Sequence, residues 1–231
     1  MQFDMAALTA DERYKVMSSS ITPRPIAWVT SQSAAGERNA APYSFFNMMA
    51  ASPPLVVLGL MRREDGRYKD TAANIIQTRE FVVNLVCEAD AAAMNFSCID
   101  GPPEFDEVAA ANIATAPSSQ VAPPRILSAP VSMECRLFQH TEVSPQSTVV
   151  LGEVLVFHIH DRLIDPVKLH IDTPALNLIG RMHGAGWYTR TNDLFQMQRP
   201  RYADWIMQQS AADTHQCDDA YRATNPRASG G

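Results

Sequence analysis

Through the middle of the chain, apolar positions recur every second residue or run unbroken, which predicts strands rather than helices. Pro25 to Ser31 (Pro-Ile-Ala-Trp-Val-Thr-Ser) reads as a strand and is followed by a Ser-Ala-Ala-Gly-Glu turn. Leu55 to Leu60 is apolar throughout after Pro53-Pro54, and Phe81 to Val86 is a second short buried run. Val131 to Phe138 alternates, with Val131, Met133, Cys135 and Leu137 on one face and Glu134 and Arg136 on the other. Val149 to Ile159 is apolar on both faces. Val149, Leu151, Leu155, Phe157 and Ile159 line one, Val150, Val154 and Val156 the other, and Gly152 reads as a bulge. An antiparallel strand buried on both faces needs cover on each side; a closed barrel supplies one, and a packed helix or a second subunit the other. Helices are expected at Asp70 to Arg79, with Asp70 as N-cap, at the Ala-rich Glu88 to Phe96, and at Asp106 to Asn112. Short, numerous strands and few helices predict a mainly β protein, an antiparallel β-barrel with peripheral helices, rather than a doubly wound parallel sheet.

Composition narrows the function classes. A chain of 231 residues with 46% hydrophobic and 19% charged residues suits one large domain. A net charge of −6 gives no basic footprint for nucleic acid or an anionic membrane. No apolar run approaches the roughly 18 residues of a membrane span. Met1 to Lys15 carries Asp4, Asp11 and Glu12 without a basic or apolar leader pattern, so the expected location is the cytoplasm. Cys87, Cys98, Cys135 and Cys217 contain no C-x-x-C pair and are expected as free, mostly buried thiols. Ala211 to Gly231 is polar and has little to bury.

No G-x-G-x-x-G, P-loop, G-x-S-x-G or H-E-x-x-H occurs. His158 and His160 share a strand face, but no third ligand is placed to complete a metal site, and no metal is expected. Three segments call for an explanation. Ile21 to Ser31 sets Arg24 between two prolines, which extends its backbone, and ends in the hydroxyls of Thr30 and Ser31. An edge strand with a surface arginine accounts for it equally well. Asn39 to Asn47 (Asn-Ala-Ala-Pro-Tyr-Ser-Phe-Phe-Asn) reads as a turn whose small residues let something flat approach the main chain; a turn packed into the core is the alternative. Tyr68 to Ile76 places Lys69, Asp70 and Thr71 at a helix start, where free N–H groups and the dipole favour an anion, unless it is an ordinary helix start.

The order and residues of these segments resemble the flavin reductase-like, FMN-binding split-barrel family. Pro23-Arg24-Pro25-Ile26-Ala27-Trp28-Val29, Asn39 to Asn47 and Lys69-Asp70-Thr71 follow one another as in that family. Glu80 to Leu85, Pro123-Pro124-Arg125, Gly152-Glu153-Val154, Gly180-Arg181 with Tyr188, and Arg199-Pro200 extend the likeness over residues 14–200. It implies a flavin-binding split barrel at 14–200, an N-terminal segment at 1–13 and a C-terminal extension at 201–231. By the same resemblance, Thr30, Ser31, Lys69, Asp70 and Thr71 surround the flavin phosphate. Ala41, Pro42, Tyr43, Ser44 and Phe45 meet the ring, and Trp28, Val29 and Asn47 complete its wall. Arg24 and Arg181 are the expected cations. The chain departs from the family after Arg181, where His183 stands between Met182 and Gly184 and is the candidate catalytic residue.

The implied activity is hydride transfer from NAD(P)H to FMN, with FAD as the alternative flavin, because a flavin carries redox chemistry without an acid–base dyad. A homodimer is expected, with a partner monooxygenase as a candidate acceptor of the reduced flavin. The rival readings are an FMN-binding electron carrier without nicotinamide activity and a non-catalytic flavin-binding barrel.

Overall fold

Where the apolar pattern is strongest, the chain forms strands. The computed structural model describes residues 1–102, 105–184 and 186–207. One antiparallel sheet holds β1 (Ala27–Gln32), β2 (Arg38–Tyr43), β3 (Phe46–Ala51), β4 (Pro54–Met61), β5 (Glu80–Leu85), β6 (Val131–Ser144) and β7 (Ser147–Ile159). Its order is β2-β1-β5-β6-β7-β4-β3. β8 (Ile179–Arg181) and β9 (Tyr188–Arg190) form a separate hairpin. The helices are α1 (Ala10–Ser20), α2 (Asp70–Thr78), α3 (Ala91–Phe96) and the single turn α4 (Glu107–Ala110). No described helix is long and apolar enough to cross a membrane.

The expected closed barrel needs correcting, because the sheet is not closed by hydrogen bonds. Its edge strands β2 and β3 are consecutive in sequence and joined through Ser44 and Phe45, but they do not pair with each other. Burial nevertheless follows a barrel-like logic. One cluster takes Val29 from β1, Leu58 and Leu60 from β4, Phe81 and Val83 from β5, Cys135 and Leu137 from β6, and Ala72 and Ile75 from α2. A second cluster, with Trp28 on the opposite face of β1, adds Ile26, Val86, Met94, Ile126 and Ile179. β1 is therefore buried on both faces, which its near-continuous apolar run requires.

Three local expectations change. Asn39 to Asn47 is not a turn; it supplies most of β2, the link at Ser44 and Phe45, and the start of β3. Gly152 is not itself the bulge, since it pairs in register with Leu137 and Val56; the β6–β7 register slips past Leu155 on β7 and past Phe138 and Val143 on β6. Lys69, not Asp70, is the N-cap of α2, and Asp70 opens the helix. Glu134, on the other face of β6 from Met133 and Cys135, is fully buried.

Residues from Met1 to Asp193 make one compact unit, and the described residues from Leu194 onward belong to another. The first includes α1, which crosses the boundary expected at residue 14. In the second, Arg201 pairs with Asp204 at 3.0 Å and Tyr202 stacks on Trp205; the part of the expected extension beyond residue 207 lies outside the described residues. Cys87, Cys98 and Cys135 are free thiols, but only Cys135 is buried and Cys98 is exposed; Cys217 lies outside the described residues.

Candidate functional site

α2 begins abruptly because Lys69 is extended and Asp70 starts the helix, leaving the first turn open to a neighbouring cavity. That cavity, about 140 Å³, is walled by Ala41, Pro42 and Tyr43 of β2, by Lys69, Asp70 and Thr71, and by Ser97 to Gly101 after α3. Asn39, Arg63 and Glu107 complete it. Thr71 is buried and donates its hydroxyl to Asn39 Oδ1 at 2.6 Å. The Asn39 amide in turn donates to Glu107 Oε2 at 3.2 Å, and Ala40 N–H donates to the same oxygen at 3.3 Å. Burial raises the Glu107 carboxyl above the ordinary carboxylate range, against those hydrogen bonds. Burial likewise pushes the Tyr43 phenol up, opposed by its hydrogen bond with Thr71.

A second cavity of about 430 Å³ shares Pro42, Tyr43 and Cys98 with the first. Tyr14, Ile26, Ser44, Met94, Asn95, Arg181, Gly186 and Tyr188 line the rest. Arg181 lies over the Tyr188 ring at 4.7 Å, a cation–π contact that holds its charge at the cavity wall. Two motifs far apart in sequence meet here. Arg24 and Arg181 exchange main-chain hydrogen bonds of 2.9 and 2.8 Å, so the Pro-Arg-Pro segment and the Gly-Arg hairpin are one structure.

The structure thus gathers Ala41, Pro42, Tyr43, Ser44, Lys69, Asp70, Thr71 and Arg181 around two adjoining cavities. The other expected site residues do not line them. Arg24 is buried; it donates Nη2 to Met182 O at 2.6 Å, Nη1 to Ile21 O at 3.1 Å and Ser18 O, and Nε to Ser44 Oγ at 3.4 Å. It is a clasp joining α1, the β2–β3 link and the 182 loop. Trp28 is wholly buried and donates Nε1 to Ser97 Oγ at 2.9 Å, bracing the small cavity from behind. Val29 lies in the core. Thr30 donates to Pro124 O at 2.5 Å, and Ser31 donates to Asn39 Oδ1 at 3.2 Å while accepting from Asn74. These hydroxyls are spent inside the protein because β1 is covered on both faces. Phe45 is partly exposed against Tyr14 and faces another cavity, as does Asn47. His183 is exposed, its ring 5.8 Å from that of Trp187.

Arg63, Asp100 and Glu107 line the small cavity and belong to none of the motifs. Arg63 lies in a turn-like Arg-Arg-Glu-Asp-Gly stretch and Asp100 in a loop, where no periodicity marks them. His158, which shares a strand face with His160, places Nε2 2.6 Å from Glu134 Oε1. Among the described residues no cluster of His, Cys, Asp or Glu is built to hold a metal.

A family model for a flavin reductase like domain matches residues 17–182. The 2-nitrobenzoate 2-nitroreductase of Pseudomonas fluorescens is 36% identical in sequence, with 87% of this chain and 98% of that one covered and a TM-score of 0.80. Nitrilotriacetate monooxygenase component B from Bacillus cereus is 34% identical, with 85% and 98% covered and a TM-score of 0.80. A split-barrel protein from Shewanella frigidimarina, 19% identical and covered over 87% of this chain and all of its own, shares the fold at a TM-score of 0.74.

Proposed function

This chain belongs to the flavin reductase-like family, and we propose that it binds FMN, with FAD as the alternative flavin, and passes hydride to it from NAD(P)H. The observation that carries the reading is the pair of adjoining cavities. A cleft of about 430 Å³ with three tyrosines suits a flat ring system. The smaller chamber at the start of α2, with Lys69, Arg63 and Thr71 in its wall, suits a phosphate. The donor set fits a flavin in size and in chemistry.

In this reading Lys69 and the first N–H groups of α2, that of Thr71 among them, bind the phosphate, while the Thr71 hydroxyl stays on Asn39. The main chain of Pro42, Tyr43 and Ser44 meets the polar edge of the ring. Arg181, held by Tyr188, favours whichever state of the occupant carries more negative charge. Bound flavin supplies the redox chemistry itself. Arg24 acts at one remove, holding Ser44 and the 182 loop where they flank the cleft. His183 stands outside both cavities on a loop with glycines on either side of Ala185, from which it reaches an incoming nicotinamide.

The likeness to a monooxygenase component over nearly its whole length supports delivery of reduced flavin to a partner oxygenase. The likeness to a nitroreductase supports a nitroaromatic acceptor as the second reading. The location proposed for this work is the cytoplasm. The test is anaerobic stopped-flow reduction of the FMN-saturated protein. NADH or NADPH should bleach it rapidly, and His183→Ala should keep flavin affinity while slowing the bleaching. Failure of both nucleotides to bleach it, with rapid bleaching by a separate reductase, overturns the reductase assignment in favour of a carrier.

A further inference from the structure

Both cations lining the small cavity are already paired. Arg63 Nη2 lies 3.2 Å from Asp70 Oδ2, and Lys69 Nζ lies 2.8 Å from Asp100 Oδ1. Buried Glu107 adds a third carboxyl to the same wall. An incoming phosphate therefore meets two engaged cations and three acidic side chains, and it gains full charge-assisted bonds only by displacing one of the acids.

The two pairs are not equally easy to open. Asp70 belongs to α2 itself and its side chain is 27% exposed, whereas Asp100 belongs to the loop between α3 and α4 and is 72% exposed. Exposed pairs contribute little, so the Lys69–Asp100 bridge is the one that yields. The loop is tethered close to the cavity. Ser97 Oγ accepts from Trp28 and donates to Met94 O at 2.8 Å. Four residues on, Gly101 packs so tightly on Phe105 that a Cβ there would lie 2.8 Å from its ring. Asp100 thus follows the anchored Ser97 by three residues, with the loop packed on itself at Gly101, and lies beside Lys69.

We propose that Asp100 is a built-in competitor for the flavin phosphate: it occupies Lys69 when the site is free, must be displaced when FMN binds, and so weakens FMN binding selectively. The proposal rests on the flavin reading of the cleft and assigns it an exchanging, substrate-like flavin. Its effect is confined to ligands with a phosphate, because the ring cavity does not include Asp100.

The experiment is a fluorescence titration of the full chain with FMN and with riboflavin, which has no phosphate. Asp100→Asn should bind FMN about three- to tenfold more tightly than wild type, from loss of the competing pair and of one repelling charge. Riboflavin affinity should stay within about twofold, and Asp100→Glu, which keeps the competitor, should track wild type. Adding Lys69→Ala to Asp100→Asn should abolish the gain. Unchanged FMN affinity in Asp100→Asn overturns the proposal while leaving the flavin reading intact, as does equal tightening for both ligands, which marks a loop-packing effect. Absence of any flavin binding by wild type and variant overturns the flavin reading itself, and the proposal with it.

Discussion

Glu134 sits on β6 where strand alternation sends it away from the main core, yet none of its surface reaches solvent. The loop carrying Ser119 and Gln120 covers it. Its carboxylate accepts Ser119 N–H at 2.8 Å, Ser119 O–H at 3.0 Å and Gln120 N–H at 2.6 Å, with His158 at 2.6 Å. Burial alone would raise the carboxyl, but these hydrogen bonds outweigh it and hold it down at about 2. The folded state therefore prefers the ionised form more than the unfolded chain does. Its contribution is present above the ordinary carboxylate value near 4.5 and is lost as pH falls from there toward about 2. The difference corresponds to on the order of 3 kcal/mol near neutrality. Urea unfolding across this acid range should show wild type losing stability steeply. Glu134→Gln, already less stable at pH 7, should lose less, since other carboxylates still titrate but this one does not. Parallel acid profiles for the two proteins would show that Glu134 carries no such linkage.

At the scale of elements, Gly152 decides whether β7 and β5 can share the core. A Cβ built on it would lie 2.3 Å from Phe81 Cζ, and Phe81 has no exposed surface into which to retreat. Gly152→Ala should therefore destabilise the fold by about 1–3 kcal/mol through overpacking. Phe81→Leu, destabilising by itself, should cost less in the Gly152→Ala background, a coupling that a double-mutant cycle of denaturation midpoints reads directly. Additive losses would mean that the strands move apart instead. The same pair shows what the sequence could reveal. The apolar runs at β4, β5 and the first half of β6 announce strands, whereas a glycine among valines suggests a bulge as readily as a cradle for a distant ring. β6 runs on to Ser144 because backbone pairing continues into a polar hairpin with no apolar signal. β2 hides among Asn, Ala and Pro, residues that favour no strand. α1 has no apolar stripe, because Tyr14, Val16 and Met17 stay exposed and Ser18 alone is buried. Its readable mark is the capping box of Thr9 and Glu12. Of the residues the family resemblance points to, those that offer main chain or a helix start line the two cavities. Thr30 and Ser31 do not, because a strand sequence does not say which hydroxyls its neighbours consume, and Arg63, Asp100 and Glu107, which also line the small cavity, belong to no motif.

On the whole molecule, the sheet leaves apolar surface that one chain does not cover. A groove of about 660 Å³ runs between β3, β4, β7 and the β8 hairpin, with Phe46, Met48, Leu55, Val154, Phe157 and Ile179 among its walls. Met48 is 66% exposed and Phe157 50% exposed, and β3 is an edge strand paired on one side by β4. An open edge beside an apolar groove favours association, and a second copy of this chain is the expected occupant. A stable homodimer commonly buries more than about 2,000 Å² in total. Light scattering should then give twice the chain mass of 25.5 kDa. Phe157→Asp should yield a folded monomer, since the side chain is already half exposed within one chain and a carboxylate there opposes burial against a partner rather than the fold. The groove and the larger site cavity share Ile26, while Arg24, in the wall of the groove, clasps Ser44 at the edge of that cavity. Loss of the partner should therefore loosen the cleft, and FMN affinity should fall together with the dimer on dilution. A wild-type protein that scatters as a monomer and still binds FMN tightly would separate the two and remove the dimer from the account of the site.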